Sequence, residues 1–220
     1  MNQKQGETSL FLAKKEIVRV QVERFHEFYP NYFARQETTP MVNYFFDKIY
    51  NLEGKEDWLD LAVNTFEKVK NMIKEQTRQN LEQLIELNNL TDKLDTQMAL
   101  LLLNKNWKEG DQLGLNEYRN LYIELKHTDD RRLQLEYVLN NLRKFYDLAH
   151  RPINAVIMKP AKFMSKLLGV YPLFASVEDG YHAVLPVSSD IFESFYEEVQ
   201  EREWNYLYSA FPELKSNANE

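Results

Sequence analysis

Three features of this 220-residue sequence predict an all-α fold. Apolar residues recur at intervals of three, four and seven along most of its length. Alternation of period two never persists beyond a few residues. Only 6 glycines and 7 prolines punctuate it. The expected architecture is a single-domain bundle of about eight or nine helices over residues 9–210. A polar, disordered N-terminus over 1–8 precedes it and a loose C-terminal tail over 211–220 follows.

Composition narrows the class. Hydrophobic residues make up 44% and aromatics 13%, ordinary values for a globular protein. A chain of this length buries roughly 70% of its unfolded surface, so the core needs no crosslink or metal. The formal net charge is -7, and lysines and arginines are dispersed among a larger number of acids. Phosphate recognition needs clustered basic groups, which argues against nucleic acid. Cysteine is absent, removing thiol chemistry, disulfides and Cys-based zinc sites together. The longest purely apolar run, Met98–Leu103, is far below the roughly 20 residues that span a bilayer. A cytoplasmic protein without membrane contact is the expectation.

The first helix starts near Ser9, with Phe11, Val18, Val22, Phe25, Tyr29 and Tyr32 on one stripe. Thr38-Thr39-Pro40 reads as a hydroxyl cap with proline in the first turn, opening a short helix that stops before Asn51–Gly54. The third helix follows from Glu56, with Trp58, Leu61, Phe66, Val69 and Ile73 inward, and the pattern loosens over 74–80. From Leu81 to Leu103 the stripe is Leu84, Leu87, Leu90, Leu94, Met98 and Leu101, in a helix apolar on several sides. After a polar loop over 104–114, Tyr118, Leu121, Tyr122 and Leu125 mark the next helix. Thr128 with Asp129 and Asp130 opens another, with Leu135, Val138, Leu142, Phe145 and Ala149 inward. A helix from Pro152, kinked at Pro160, ends at Gly169, and a shorter one runs from Pro172 to Leu185. Asp190 with Glu193 resembles a capping box ahead of the last long helix, which buries Phe192, Phe195, Tyr196, Val199 and Tyr206.

Several short elements recur in an order that resembles an uncharacterised bacterial family of helical proteins. Tyr44-Phe45 followed by Ile49-Tyr50 is similar to its aromatic-pair element, and Leu84–Asp95 to its Leu-rich helix ending in Leu-Asp. Arg132 with Gln134 resembles an Arg-x-Gln element and Lys159-Pro160-Ala161 a Gly-Pro-Ala one, with lysine replacing the glycine. Glu178-Asp179-Gly180-Tyr181 is similar to Glu-x-Gly-Phe, and Arg202-Glu203 to a closing Arg-Glu. The resemblance covers about residues 20–204 and implies one helical domain. It implies no activity, since none is established for that family.

Catalytic signatures are scarce. Phosphate-binding glycine loops, G-x-S-x-G and H-E-x-x-H do not occur. Glu23 and His26 have the Glu-x-x-His spacing of carboxylate-bridged di-iron bundles, and Glu178 and His182 share a helical face at the wrong spacing. At about 100° per residue, taking Val18 as zero, the apolar stripe lies within roughly 40°, His26 near about 80° and Glu23 near about 140°. These four residues are the weak metal candidates. Surface pairing is the preferred reading, and no metal or cofactor is called for. His127 and His150 fall near helix C-termini, where a histidine commonly serves the last carbonyls.

Asp95 lies at the edge of an apolar helix and requires a partner there, with Arg132 as the candidate. Together with Tyr44, Tyr50, Tyr181 and Arg202 these residues form the candidate ligand or partner surface. The leading functional reading is a non-enzymatic interaction or adaptor protein that engages a protein partner or its own copy. A helical binder of a small apolar ligand comes second, and a metal-dependent helical enzyme third. An adaptor should expose an apolar patch, a binder an enclosed cavity, and an enzyme a convergence of Glu and His.

Overall fold

The computed structural model describes residues 3–50, 55–71, 75–151, 162, 165–166 and 171–217, and they form helices and the turns between them, without a strand among them. Contacts divide the chain into two compact units. The first comprises Met1–Tyr29, Glu86–Tyr137 and Glu198–Glu220, the second Pro30–Ile85 and Val138–Glu197. Each unit draws on separated stretches, so no composition shift along the sequence marks a boundary between them. Among the described residues no helix is long and apolar enough to cross a membrane.

The first unit contains α1 (Gln3–Phe28), the later part of α5 (Glu75–Asn104), α6 (Leu115–Glu124) and the start of α7 (Thr128–Ala149). The end of α9 (Ser189–Ala210) and the short α10 (Glu213–Asn217) complete it. Helix α1 begins ahead of the expected start at Ser9, within the stretch expected to be disordered. Its buried face is Ala13, Ile17, Val20 and Arg24, whereas Phe11 is 44% exposed and Val22 and Phe25 are half-buried. Of the predicted stripe, Val18, Tyr29 and Tyr32 are buried, so the inner face follows it only in part. A buried arginine interrupts that face.

Met98, Ala99 and Leu102 of α5 meet Tyr118, Leu121 and Tyr122 of α6 and Leu207 and Ala210 of α9 in the same core. Leu100, in the apolar run of α5, is exposed. Glu117 accepts the Gly114 backbone N–H at 3.1 Å, which satisfies a free donor at the start of α6. The expected loose tail instead starts with two core side chains, Phe211 and Leu214.

The second unit contains α2 (Pro30–Ala34), α3 (Thr39–Asn43), a π-helical turn (Tyr44–Ile49), α4 (Lys55–Val69) and α8 (Tyr171–Val184). The early part of α5 and portions of α7 and α9 complete it. The Thr38 and Thr39 hydroxyls donate to the carbonyls of Tyr32 and Phe33, at 2.6 and 2.8 Å, and so tie α3 back to α2. They do not cap α3 as the sequence suggests. Helix α5 starts at Glu75, so residues 75–80, where the apolar period loosens, are helical.

In the part of α7 that belongs to this unit the buried positions are Leu139, Leu142, Tyr146 and Ala149, and Val138 is exposed. Tyr146 stacks on Phe192 with centroids 3.7 Å apart. Glu193 does not turn back to cap its own helix but receives a two-pronged contact from Arg143. The break at Asn51–Gly54 and most of the proline-kinked helix from Pro152, with Lys159-Pro160-Ala161, lie outside the described residues.

Candidate functional site

The core of the first unit is not uniformly apolar. Arg24, on the inner face of α1, is 3% exposed. It donates to both carboxylate oxygens of Glu203 on α9, at 3.1 and 2.7 Å. The Tyr29 hydroxyl donates to the same carboxylate at 2.7 Å. The rings of Phe25, Phe28 and Tyr206 lie about the guanidinium, with centroids 4.5, 4.8 and 4.4 Å from its carbon. Burial disfavours the Arg24 charge, but the Glu203 carboxylate outweighs it and holds the guanidinium protonated more firmly than in water. A fork-shaped donor on a planar acceptor suits this buried position, where a lysine would leave acceptor capacity unused.

A second buried arginine stands on α7. Arg131 is 5% exposed, donates to Gln134 at 3.1 Å, lies 2.9 Å from the Met98 sulfur and covers the Tyr122 ring. Gln134 in turn donates to the Thr91 hydroxyl of α5 at 2.9 Å. Asp95 is 2% exposed, as a carboxylate needing a partner should be. Its expected partner Arg132 points elsewhere, with a side chain 53% exposed and loosely paired to Glu136 at 4.0 Å. The Tyr118 hydroxyl, which donates to Gln21 at 2.7 Å, is held well above the usual phenol range first by burial. Arg131 opposes that shift, and Tyr206 and Asp95 add to it, so both Asp95 and Arg131 act on one phenol. Among the described residues, the charged groups in the buried class in this core are Arg24, Arg131 and Asp95.

Neighbouring arginines on α7 should therefore behave differently. Arg131→Ala is expected to cost about 1.5–3 kcal/mol, the range for a hydrogen bond to a charged group. Arg132→Ala should stay within about 0.5 kcal/mol. Thermal melts of the two variants check this.

Burial raises three phenols of this core, Tyr29, Tyr118 and Tyr122, the last to about 12 from the ordinary 10.0. The unfolded chain releases these protons near the ordinary value while the folded chain keeps them. Their contribution is fully present below the unfolded value and is lost as pH rises through the folded one. Stability should therefore fall between about pH 10 and about 12. Tyrosinate absorbance followed beside circular dichroism should show these phenols ionising together with unfolding.

The other predicted residues do not assemble into one site. Tyr44, in the second unit, is buried, donates to the Ser176 carbonyl at 3.0 Å and stacks on Phe145. Tyr181 and Tyr50 are half-buried, and the Tyr50 backbone N–H closes the π-helical turn on Phe45 at 3.0 Å. Arg202 is exposed and paired with Glu198 at 2.9 Å within its own helix, while the adjacent Glu203 is the buried acid.

Among the metal candidates, Glu23 is exposed and bridged to Arg19 at 2.9 Å, and His26 is also exposed. Glu178 is held by Lys162 at 2.7 Å and His182 is exposed. Among the described residues, no three histidine or acidic side chains are placed to hold a metal ion. The His150 ring nitrogen lies 3.0 Å from the Tyr146 carbonyl in the last turn of α7, the expected use. His127 lies instead at the start of α7, 3.4 Å from Asp130.

The loop joining α5 to α6, read from sequence only as polar, presents the remaining feature. Asn106 leaves α5 in the left-handed conformation at φ 66°, and Gly110 turns the chain at φ 95°, where a side chain would be strained. Trp107 is half-buried between these turns, and its indole N–H donates to the Asp111 carbonyl at 3.0 Å. The Asp111 carboxylate accepts the Lys108 backbone N–H at 2.8 Å. Two open clefts adjoin the indole. One, of about 390 Å³, is lined by Thr8, Ser9, Leu12 and Leu103, and the other, of about 420 Å³, by Lys105, Leu113, Glu117 and Leu121. A tryptophan in a polar stretch was the available signal for this feature.

The model of one protein family matches residues 1–214, almost the whole chain. The chain belongs to that family, described as a domain of unknown function (DUF8198). The match takes in both units, so the expected kinship with an uncharacterised family holds over its full extent. No curated protein and no solved structure matches the chain.

Proposed function

We propose that this member of the family is a non-enzymatic protein–protein interaction module that engages its partner through the Trp107 loop. The observation that carries the reading is an indole shared by two open clefts and fixed from below by the Asp111 carbonyl. Tryptophan dominates binding energy at interfaces because it offers a large rigid apolar surface with one donor. Both clefts have mixed polar and apolar walls and lie open, which suits a protein surface better than a small apolar ligand. The buried Arg24 is committed to Glu203 and so serves the fold. A chain without cysteine suits the reducing cytoplasm, where we place it.

Trp107→Ala is expected to abolish partner binding by at least about 2 kcal/mol, the scale of a hot-spot residue. Its far-ultraviolet circular dichroism should remain that of the wild type. Unchanged affinity in a folded variant would refute the assignment. Light scattering of the purified chain separates self-association from a foreign partner.

A further inference from the structure

The attachment of α1 to the first unit is unlike that of α5. Polar links recur along it. Lys14 pairs with Asp92, Glu16 accepts the Leu113 backbone N–H, Gln21 accepts the Tyr118 hydroxyl, and Arg24 and Tyr29 both donate to Glu203. Its buried apolar contribution is Ala13, Ile17, Val18 and Val20, small or medium side chains, and past Val20 the innermost residue of the helix is Arg24. Helix α5 instead supplies Leu94, Met98, Ala99 and Leu102. Apolar burial is lost outright on opening, whereas polar groups regain water and most of their free energy. A buried ion pair follows the same rule, since both charges recover hydration when the helices part.

We infer that α1 opens from the first unit as a separate cooperative segment, with Arg24–Glu203 as its latch. Opening uncovers an apolar floor that includes Met98, Ala99, Leu102 and Leu207. The latch is the position of control: with one member neutralised, the other charge can regain solvation only by leaving, and α1 must leave with it.

Hydrogen exchange of the full chain, resolved by peptide mass spectrometry in mild denaturant, tests this. Wild-type peptides covering residues 13–28 should exchange about tenfold or more faster than peptides covering 91–104. Glu203→Gln should accelerate the first set and keep it ahead of the second. Arg24→Met combined with Glu203→Leu replaces the latch with apolar packing and should slow 13–28 toward the α5 rate. Equal rates for both sets in the wild type would overturn the inference. So would a Glu203→Gln protein in which the two sets exchange at one rate. Should that variant fail to fold, Lys14→Gln, at the edge of the interface, serves in its place with the same expected pattern.

Discussion

Glu203→Gln is expected to destabilise the first unit by roughly 3–5 kcal/mol, the cost of leaving a buried charge without its counterion. Both side chains of the pair are nearly inaccessible, at 4% for Arg24 and 11% for Glu203, so solvent screens little of that loss. The amide keeps the shape of the carboxylate and can still accept from Arg24 and Tyr29, but it returns no charge to a guanidinium enclosed by three aromatic rings. Urea unfolding should show the midpoint lowered. Arg24→Met with Glu203→Leu should recover most of the loss, because well-packed apolar side chains replace a buried pair at little cost. A Glu203→Gln midpoint equal to that of wild type would mean that Arg24 finds another counterion or that water reaches it.

Gly180→Ala tests the second unit in the same way. A Cβ at Gly180 would lie 2.5 Å from Tyr44 Cζ and 2.7 Å from Phe145 Cζ, closer than carbon atoms approach. Neither ring is free to yield. Tyr44 is held by the hydrogen bond from its hydroxyl to the Ser176 carbonyl and stacks on Phe145 with an interplanar angle of 11°. Overpacking of this kind costs about 1–3 kcal/mol. Gly114→Ala is the matched control, because its nearest neighbour, a Glu117 carboxylate oxygen, lies 3.7 Å away. The thermal midpoint should drop for Gly180→Ala and stay close to wild type for Gly114→Ala. A Gly180→Ala protein as stable as wild type would show that α8 moves away from the rings without penalty.

The all-α class was legible because helical period and scarce punctuation are local properties. Which face of each helix is buried was less legible. On α1 the apolar stripe pointed to Phe11 and Val22, yet the core takes Ala13, Ile17, Val20 and Arg24. A pattern search that counts only apolar residues discards a face containing arginine, although a bidentate acid and surrounding rings make that face internal. Helix α7 misled for another reason. It serves the first unit up to Tyr137 and the second from Val138, so one stripe drawn along its length averages two cores. That average put Val138 inside in place of Leu139.

The same one-residue slip chose Arg132 over Arg131 as the internal arginine. At Arg202-Glu203 the motif was visible, but not that its acid turns inward and its base outward. Asp95 was placed at the edge of an apolar helix and expected to need a partner, and it is in fact buried between Leu94 and Met98. Gly180 stood within a resembled motif, and only tertiary packing shows that two rings exclude a side chain there. Trp107 was passed over since a loop carries no period, and its position depends on the left-handed turn at Asn106.

The most direct test of the interaction reading is site-specific photo-crosslinking in the native cell, with a benzophenone side chain replacing Trp107 and, as control, the exposed Glu136 of α7. The account predicts a discrete protein adduct at position 107 that is absent at 136 and is competed by the untagged wild-type chain. Adducts identical at both positions, or none at 107 in a folded protein, would contradict it.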